Sequence, residues 1–235
     1  MNQNFRNLLD KYPHESSLKL VYRYLYREII SLDMRPGVKL NLAKLANELS
    51  VSRTTVRDAV LMLTEEHLVN KTSDNKFYIS ELKTTEMKNI YAARKIIESG
   101  AAQILCELIT KEQIQIFHSL LDKMYESVNA IDYEEFSRLD MIFHKNIVTY
   151  CENEFVISMY EHISDQINRY INYTSFNDYP NKKSPFMPMI LRQHSMIIYS
   201  LEHGMPENVT YLIHKHFTDA EKLLLHPQYH LPFKE

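Results

Sequence analysis

"VSRTTVRDAV", residues 51–60, sets Arg53 and Arg57 four apart, on one face of a helix that the hydroxyl of Ser52 can cap. Val56 and Val60 fall on the other face, and Leu61 and Leu63 extend that apolar side, so the helix is predicted to run to about His67. Upstream, a short helix is predicted over about Leu42–Leu49, ending near Ser50. Before it, "LKLVYRYLYREIIS" (18–31) carries Leu20, Tyr24, Ile29 and Ile30 along one helical stripe, and "RPG" at 35–37 breaks the chain between the two. Downstream, "LVNKTSDNKFYIS" has two short apolar stretches around a Ser-Asp-Asn turn, which predicts a β-hairpin. Three helices and a hairpin in this order make a winged helix-turn-helix. In that motif the second helix of the pair enters the major groove by its amino-terminal end, where arginine can bond guanine O6 and N7 together. Arg53 and Arg57 stand on that end, with Ser52, Thr54 and Thr55 placed to reach phosphates. The same spacing also suits a solvated basic face, and the residues alone leave both readings open.

The rest of the chain sets the frame. Its 235 residues suffice for two domains, expected at 1–80 and 81–235. With only three glycines, and apolar residues recurring at spacings of three and four, the class is mainly α. The net charge of −3 is uneven: residues 1–80 hold 12 Lys and Arg against 9 Asp and Glu, residues 81–235 hold 15 against 21. The amino-terminal part is thus the one suited to a polyanion. "MNQNFRNLLDKYPHESS" lacks the layout of a signal peptide, and no stretch of about 18 apolar residues follows, so a soluble cytoplasmic protein without membrane contact is expected. Cys106 and Cys151 form no CxxC pair and are expected as buried thiols.

Beyond Glu81, helices are predicted near 85–109, 111–128, 133–151, 154–174, 185–203 and 206–226. Asp132 and Glu135 have capping-box spacing, and Asn153 can cap the next helix. "TSFNDYPNKKSP", with Pro180 and Pro185, is the most irregular connection. Asp140 and His144 are four apart, on one face, where a carboxylate and an imidazole can share a cation. His194 lies ten residues before Gly204 and His216 ten after Pro206, so at about 1.5 Å per residue both stand about 15 Å from the apex of a helical hairpin. One Asp and three His can therefore converge. Structural polarity and metal ligation both account for the pattern.

"MRPGVKLNLAKLANELSVSRTTVRDAVLMLTEEHLV" resembles the DNA-binding domain of GntR-family bacterial transcription regulators, over about residues 17–80. The resemblance implies that Arg53, Thr54 and Arg57 contact DNA. Ala43 stands where FadR-like members often carry a further DNA-contacting arginine, and Lys76 stands where the wing commonly has glycine, with Asn75 able to take the positive-φ conformation instead. Asp-x-x-Phe-His followed by two histidines 22 apart is similar to the FCD ligand-binding domain of the FadR-like subgroup. That likeness implies a divalent metal, zinc or nickel, at Asp140, His144, His194 and His216. Gln193 departs from it, since a glutamate usually precedes that histidine. Arg94 and Glu98 match an Arg-x-x-x-Glu signature in the domain's first helix, which makes Arg94 a candidate for a carboxylate effector and Arg169 a second; a surface pair is the other reading of Arg94 and Glu98. The expected function is a homodimeric transcription regulator binding double-stranded operator DNA under the control of a small organic acid. The alternatives are a metal-dependent hydrolase using the Asp/His cluster and a pure metal sensor.

Overall fold

The computed structural model describes residues 2–177 and 186–224 and falls into two compact units, Met1–Leu82 and Lys83–Glu235. The first unit holds helices α1 (Gln3–Lys11), α2 (Ser17–Ile30), α3 (Leu42–Leu49) and α4 (Arg53–Glu65), with strands β1 (Lys39–Leu40), β2 (Val69–Lys71) and β3 (Phe77–Ile79). The strands form an antiparallel sheet in the order β1-β3-β2, in which β2 and β3 are the hairpin. Two elements go beyond the sequence expectation. Strand β1 is too short to show any alternation, and α1 rests on local chemistry: Asn2 caps it by accepting from the Asn4 and Phe5 amides. The helix then docks by burying Phe5 edge-on against Tyr24, while the Asn2 side chain donates to the Tyr24 hydroxyl at 3.0 Å.

The core of this unit is the one the apolar spacing required, with Leu20, Tyr24, Leu25 and Ile29 of α2 meeting Val56, Val60 and Leu63 of α4. Leu61 is only partly buried and packs at the edge. Between α3 and α4 the chain reverses through Ser50 at φ 57, after which Ser52 accepts from the Thr55 amide at 3.0 Å and caps α4. At the wing tip Asn75 adopts φ 59, so asparagine supplies the left-handed residue that the absent glycine would have given. Gly37 has φ 78 and donates its amide to the Ile79 carbonyl, which ties the turn before β1 to the hairpin.

The second unit consists, among the described residues, of α5 (Thr84–Leu108), α6 (Lys111–Ala130), α7 (Tyr133–Thr149), α8 (Glu154–Asn177), α9 (Met187–Glu202) and α10 (Pro206–Leu224). Helix α10 packs on α5 and α9, and α7 packs on α5, α6 and α8. Asp132 caps α7 through the Glu135 amide, but no reciprocal box forms, because the Glu135 carboxylate is taken by Arg138. A full capping box appears instead at Thr110 and Gln113 on α6. Asn153 accepts from the amides of Phe155 and Val156 at the start of α8. That helix continues to Asn177, further than its apolar pattern extends, and the expected Pro180 and Pro185 breaks lie outside the described residues. Cys151 is a buried free thiol as expected; Cys106 is only half-buried, with its thiol directed at the Ser200 carbonyl. Among the described residues no helix is long and apolar enough to cross a membrane.

Candidate functional site

In the first unit, the amino-terminal turn of α4 presents Arg53, Thr54 and Arg57 as exposed side chains, with Thr55 half-buried beside them. Neither Arg53 nor Arg57 has a hydrogen bond or ion pair among the described residues. Ser52 and Thr55 are less free than the sequence implied, since their hydroxyls bond each other at 2.7 Å while Ser52 also accepts from the Thr55 amide. One hydroxyl proton of the two is then left for an outside acceptor. Lys76 sits on the wing in an ion pair with Asp74, which holds that carboxyl down to about 2. A phosphate would have to compete with Asp74 for this ammonium.

In the second unit, Asp140 and His144 from α7, His194 from α9 and His216 from α10 offer ligand atoms that all lie within 4.8 Å of one another. His194 Nε2 is 3.2 Å from Asp140 Oδ1 and 3.4 Å from His144 Nε2. The helical hairpin brings the His194 and His216 rings to 4.8 Å between centroids, and His216 stacks on His144 at 5.0 Å. Phe143 and Phe217, both buried, wall the group with ring contacts to the histidines. His144 and His194 are fully buried and His216 nearly so.

Burial alone would suppress every charge here, and the group resolves this unequally. Burial pushes His194 and His216 below the ordinary imidazole value, His216 furthest, so both favour the neutral form that ligates a metal. Burial also opposes ionisation of Asp140, but the surrounding histidines, with a hydrogen bond from His194, outweigh it and hold the carboxyl low. Three imidazoles and one carboxylate form a donor set suited to a borderline divalent cation.

Behind the cluster, on α5, lies the residue whose part the sequence left undecided. Glu98 is fully buried; its Oε2 is 2.7 Å from His144 Nδ1 and its Oε1 accepts from Arg94 Nε at 2.7 Å. The Arg94–Glu98 pair is therefore an interior one, and the surface reading of it is overturned: only 2 % of Arg94 is exposed, since α10 covers this face of α5. Burial opposes the charge on both partners, and their mutual attraction outweighs it, raising Arg94 and lowering Glu98. The Arg94 guanidinium also lies over the Phe217 ring at 4.2 Å, and its Nη2 has no hydrogen-bond partner among the described residues. Arg169, on α8, is 1 % exposed and stands as a candidate by burial alone. Sequence reasoning paired Glu98 only with Arg94; its spacing from His144, 46 residues, carries no periodic signal.

Comparison with known proteins agrees with both units. Residues 19–79 match the family of bacterial regulatory proteins, gntR family, and residues 89–219 match the FCD domain. The chain is 27 % identical over 206 residues to an uncharacterized HTH-type transcriptional regulator, YdhC, of Bacillus subtilis (strain 168), covering 86 % of this chain and 88 % of that protein. It is 30 % identical over 148 residues to the Nta operon transcriptional regulator of Aminobacter aminovorans, covering 62 % and 70 %. The solved structure of E. coli McbR/YncC superposes with a TM-score of 0.69 at 18 % identity, over 89 % of this chain and 97 % of that one, a likeness of fold.

Proposed function

The chain belongs to the gntR family of bacterial regulatory proteins and carries an FCD domain, and from that premise we propose that a small organic acid, held at a divalent metal ion in the helical unit, sets its affinity for operator DNA. It is a DNA-binding transcription regulator, and the proteins it matches are regulators rather than enzymes, so the hydrolase alternative is dropped. The observation that carries the proposal is the convergence of Asp140, His144, His194 and His216 next to the buried Arg94–Glu98 pair.

Zinc or nickel fits the donor set, with His144, His194, His216 and Asp140 as ligands. Such an ion, when bound, supplies positive charge and coordination positions that a carboxylate can take. The protein's part is to orient that carboxylate: Arg94 Nη2, buried and lacking an acceptor among the described residues, is the donor for its second oxygen, and Arg169 is the reserve candidate. Arg53, Thr54 and Arg57 read and hold the DNA, with Ser52 and Thr55 offering one hydroxyl and Lys76 acting from the wing. One recognition helix spans few base pairs, so a cytoplasmic homodimer on a two-fold symmetric operator is assigned. Calorimetric titration of carboxylates into zinc-loaded protein, with and without operator, tests this. Coupling is reciprocal, so operator should shift acid affinity by about 5–150-fold. A zinc response of DNA affinity with no acid response would make the protein a metal sensor and refute the effector role.

A further inference from the structure

The three histidines of the cluster are oriented by different means, and for His144 and His216 the hydrogen-bond chemistry fixes which ring nitrogen carries the proton. Glu98 can only accept, so the contact between Glu98 Oε2 and His144 Nδ1 puts the proton on Nδ1 and turns the Nε2 lone pair toward Asp140 and His194. Among the described residues no carboxylate bonds His216. Its Nδ1 lies 2.9 Å from Gln193 Oε1, and Gln193 Nε2 donates at 2.8 Å to Asp219 Oδ2, an oxygen that also accepts from Lys215 Nζ at 2.8 Å. The direction of this relay is unambiguous. A carboxylate accepts only, so the amide NH2 of Gln193 must face Asp219; its carbonyl oxygen then faces His216, which must donate from Nδ1 and leave Nε2 as the lone pair. At 7 % exposure Gln193 has no room to exchange these partners for water. His194 differs again: its Nδ1 is buried without a hydrogen-bond partner among the described residues.

We propose that Gln193 is a positioning residue that holds His216 as an Nε2 metal donor, and that its neutral amide keeps the negative charge of Asp219 one side chain away from the ring. This rests on the reading of the cluster as a metal site. It accounts for a glutamine at a place where the resemblance to FCD domains implies glutamate: the relay supplies the same tautomer as a carboxylate would. What it withholds is the added basicity that a carboxylate gives a ligating imidazole. His144, backed by Glu98, is then the strong imidazole donor and His216 the tunable one.

The test uses the whole protein and zinc as probe, with three readouts. In metal-free wild type, long-range proton–nitrogen spectra of the histidines should show His216 protonated at Nδ1. Zinc affinity by competition with a chromophoric chelator should fall about 10–100-fold in Gln193→Leu. The double substitution Gln193→Glu with Asp219→Asn exchanges the two ends of the relay, keeps the hydrogen bonds that join positions 216, 193 and 219 while giving up the one from Lys215 to the shared Oδ2, and moves the charge next to His216. It should bind zinc more tightly than wild type, by up to about tenfold. Cobalt(II) absorption of the same proteins reports ligand geometry, and circular dichroism verifies folding of the metal-free forms. A His216 protonated at Nε2, or zinc affinity of a folded Gln193→Leu within twofold of wild type, overturns the role of Gln193. A wild type that takes up no zinc overturns the metal reading on which the proposal rests, and the two failures are told apart because the tautomer is read without metal.

Discussion

The candidate sites of the two units treat arginine in opposite ways. On α4, Arg53 and Arg57 are exposed and have no partner among the described residues; on α5, Arg94 is buried, bound to Glu98 and covered by Phe217. Water satisfies a guanidinium at the surface at little cost, so such a residue can be left free for a partner that arrives later. An interior guanidinium cannot be left free, because an unpaired buried charge is strongly destabilising, and it must be built into a network. The difference tells which parts of each site are fixed in advance. The DNA-reading end is a rigid, capped helix with solvated side chains, whereas in the helical unit the side chains themselves are locked, through Arg94–Glu98–His144 and Lys215–Asp219–Gln193–His216.

The largest effect that would break this contrast concerns the locked side. His144→Ala removes a proposed ligand and also leaves Glu98 facing nothing but Arg94, so zinc affinity should drop by more than the roughly 100-fold that a supporting residue alone commands. Metal content of protein purified without chelator, compared with wild type, checks it, and equal content would show that the cluster is structural polarity.

On the solvated side the expected losses are smaller and separable. Arg57→Ala or Arg53→Ala should cost about 1–3 kcal/mol of operator binding where a guanine contact is lost, with relaxed base preference, and should leave the thermal stability within about 0.5 kcal/mol, since neither side chain has a partner to lose among the described residues. Operator titrations at fixed salt, with melting curves of the same proteins, decide. A stability loss comparable to the binding loss would mean that these arginines are structural after all.

Acid should separate the units next. His194 and His216 have folded values below the ordinary imidazole value, so the unfolded chain binds their protons first; the stability they contribute is present above about pH 6.5 and declines as pH falls. Asp140, held low, acts in the same direction below the ordinary carboxylate value. In the first unit the sign is reversed at Glu28: burial raises it, so its contribution is largest in acid and is lost as pH rises through its folded value. Tryptophan is absent, so histidine and methyl resonances, followed against temperature at pH 7.5 and 5.5 in metal-free protein, provide the probes. The helical unit should lose stability at the lower pH while the winged unit does not.

The smallest expected effect is a gain. Gly100 lies within α5, and a Cβ there would meet nothing within 4 Å, so Gly100→Ala should stabilise the helical unit by about 0.5–1 kcal/mol through helix propensity. Gly37→Ala in the winged unit should do the reverse, because φ 78 disfavours a side chain and its Cβ would press on Glu81. Chemical denaturation of both variants gives the signs.

What the sequence determined by itself was whatever depends on local spacing. The apolar stripes of α2 and α4, the Ser52 cap, the hairpin and the i,i+4 pair Asp140–His144 follow from periods of 3.6 and 2, and those periods are written in the residues. The meeting of His194 and His216 was accessible for a related reason: equal distances from one tight turn put two helical residues at one height. Helix α1 escaped because a nine-residue helix draws its stability from docking, here Phe5 on Tyr24, and not from its own pattern. Only tertiary structure decided that Glu98 serves His144, that Arg94 is interior and that Gln193 serves His216. Which side chain completes a buried hydrogen bond depends on how α5, α7, α9 and α10 pack, and the pairing joins residues 46 and 23 positions apart. The physical reason is that burial is a property of the assembled helices: it turns an Arg-x-x-x-Glu spacing that would be a weak pair in water into an interior charge pair.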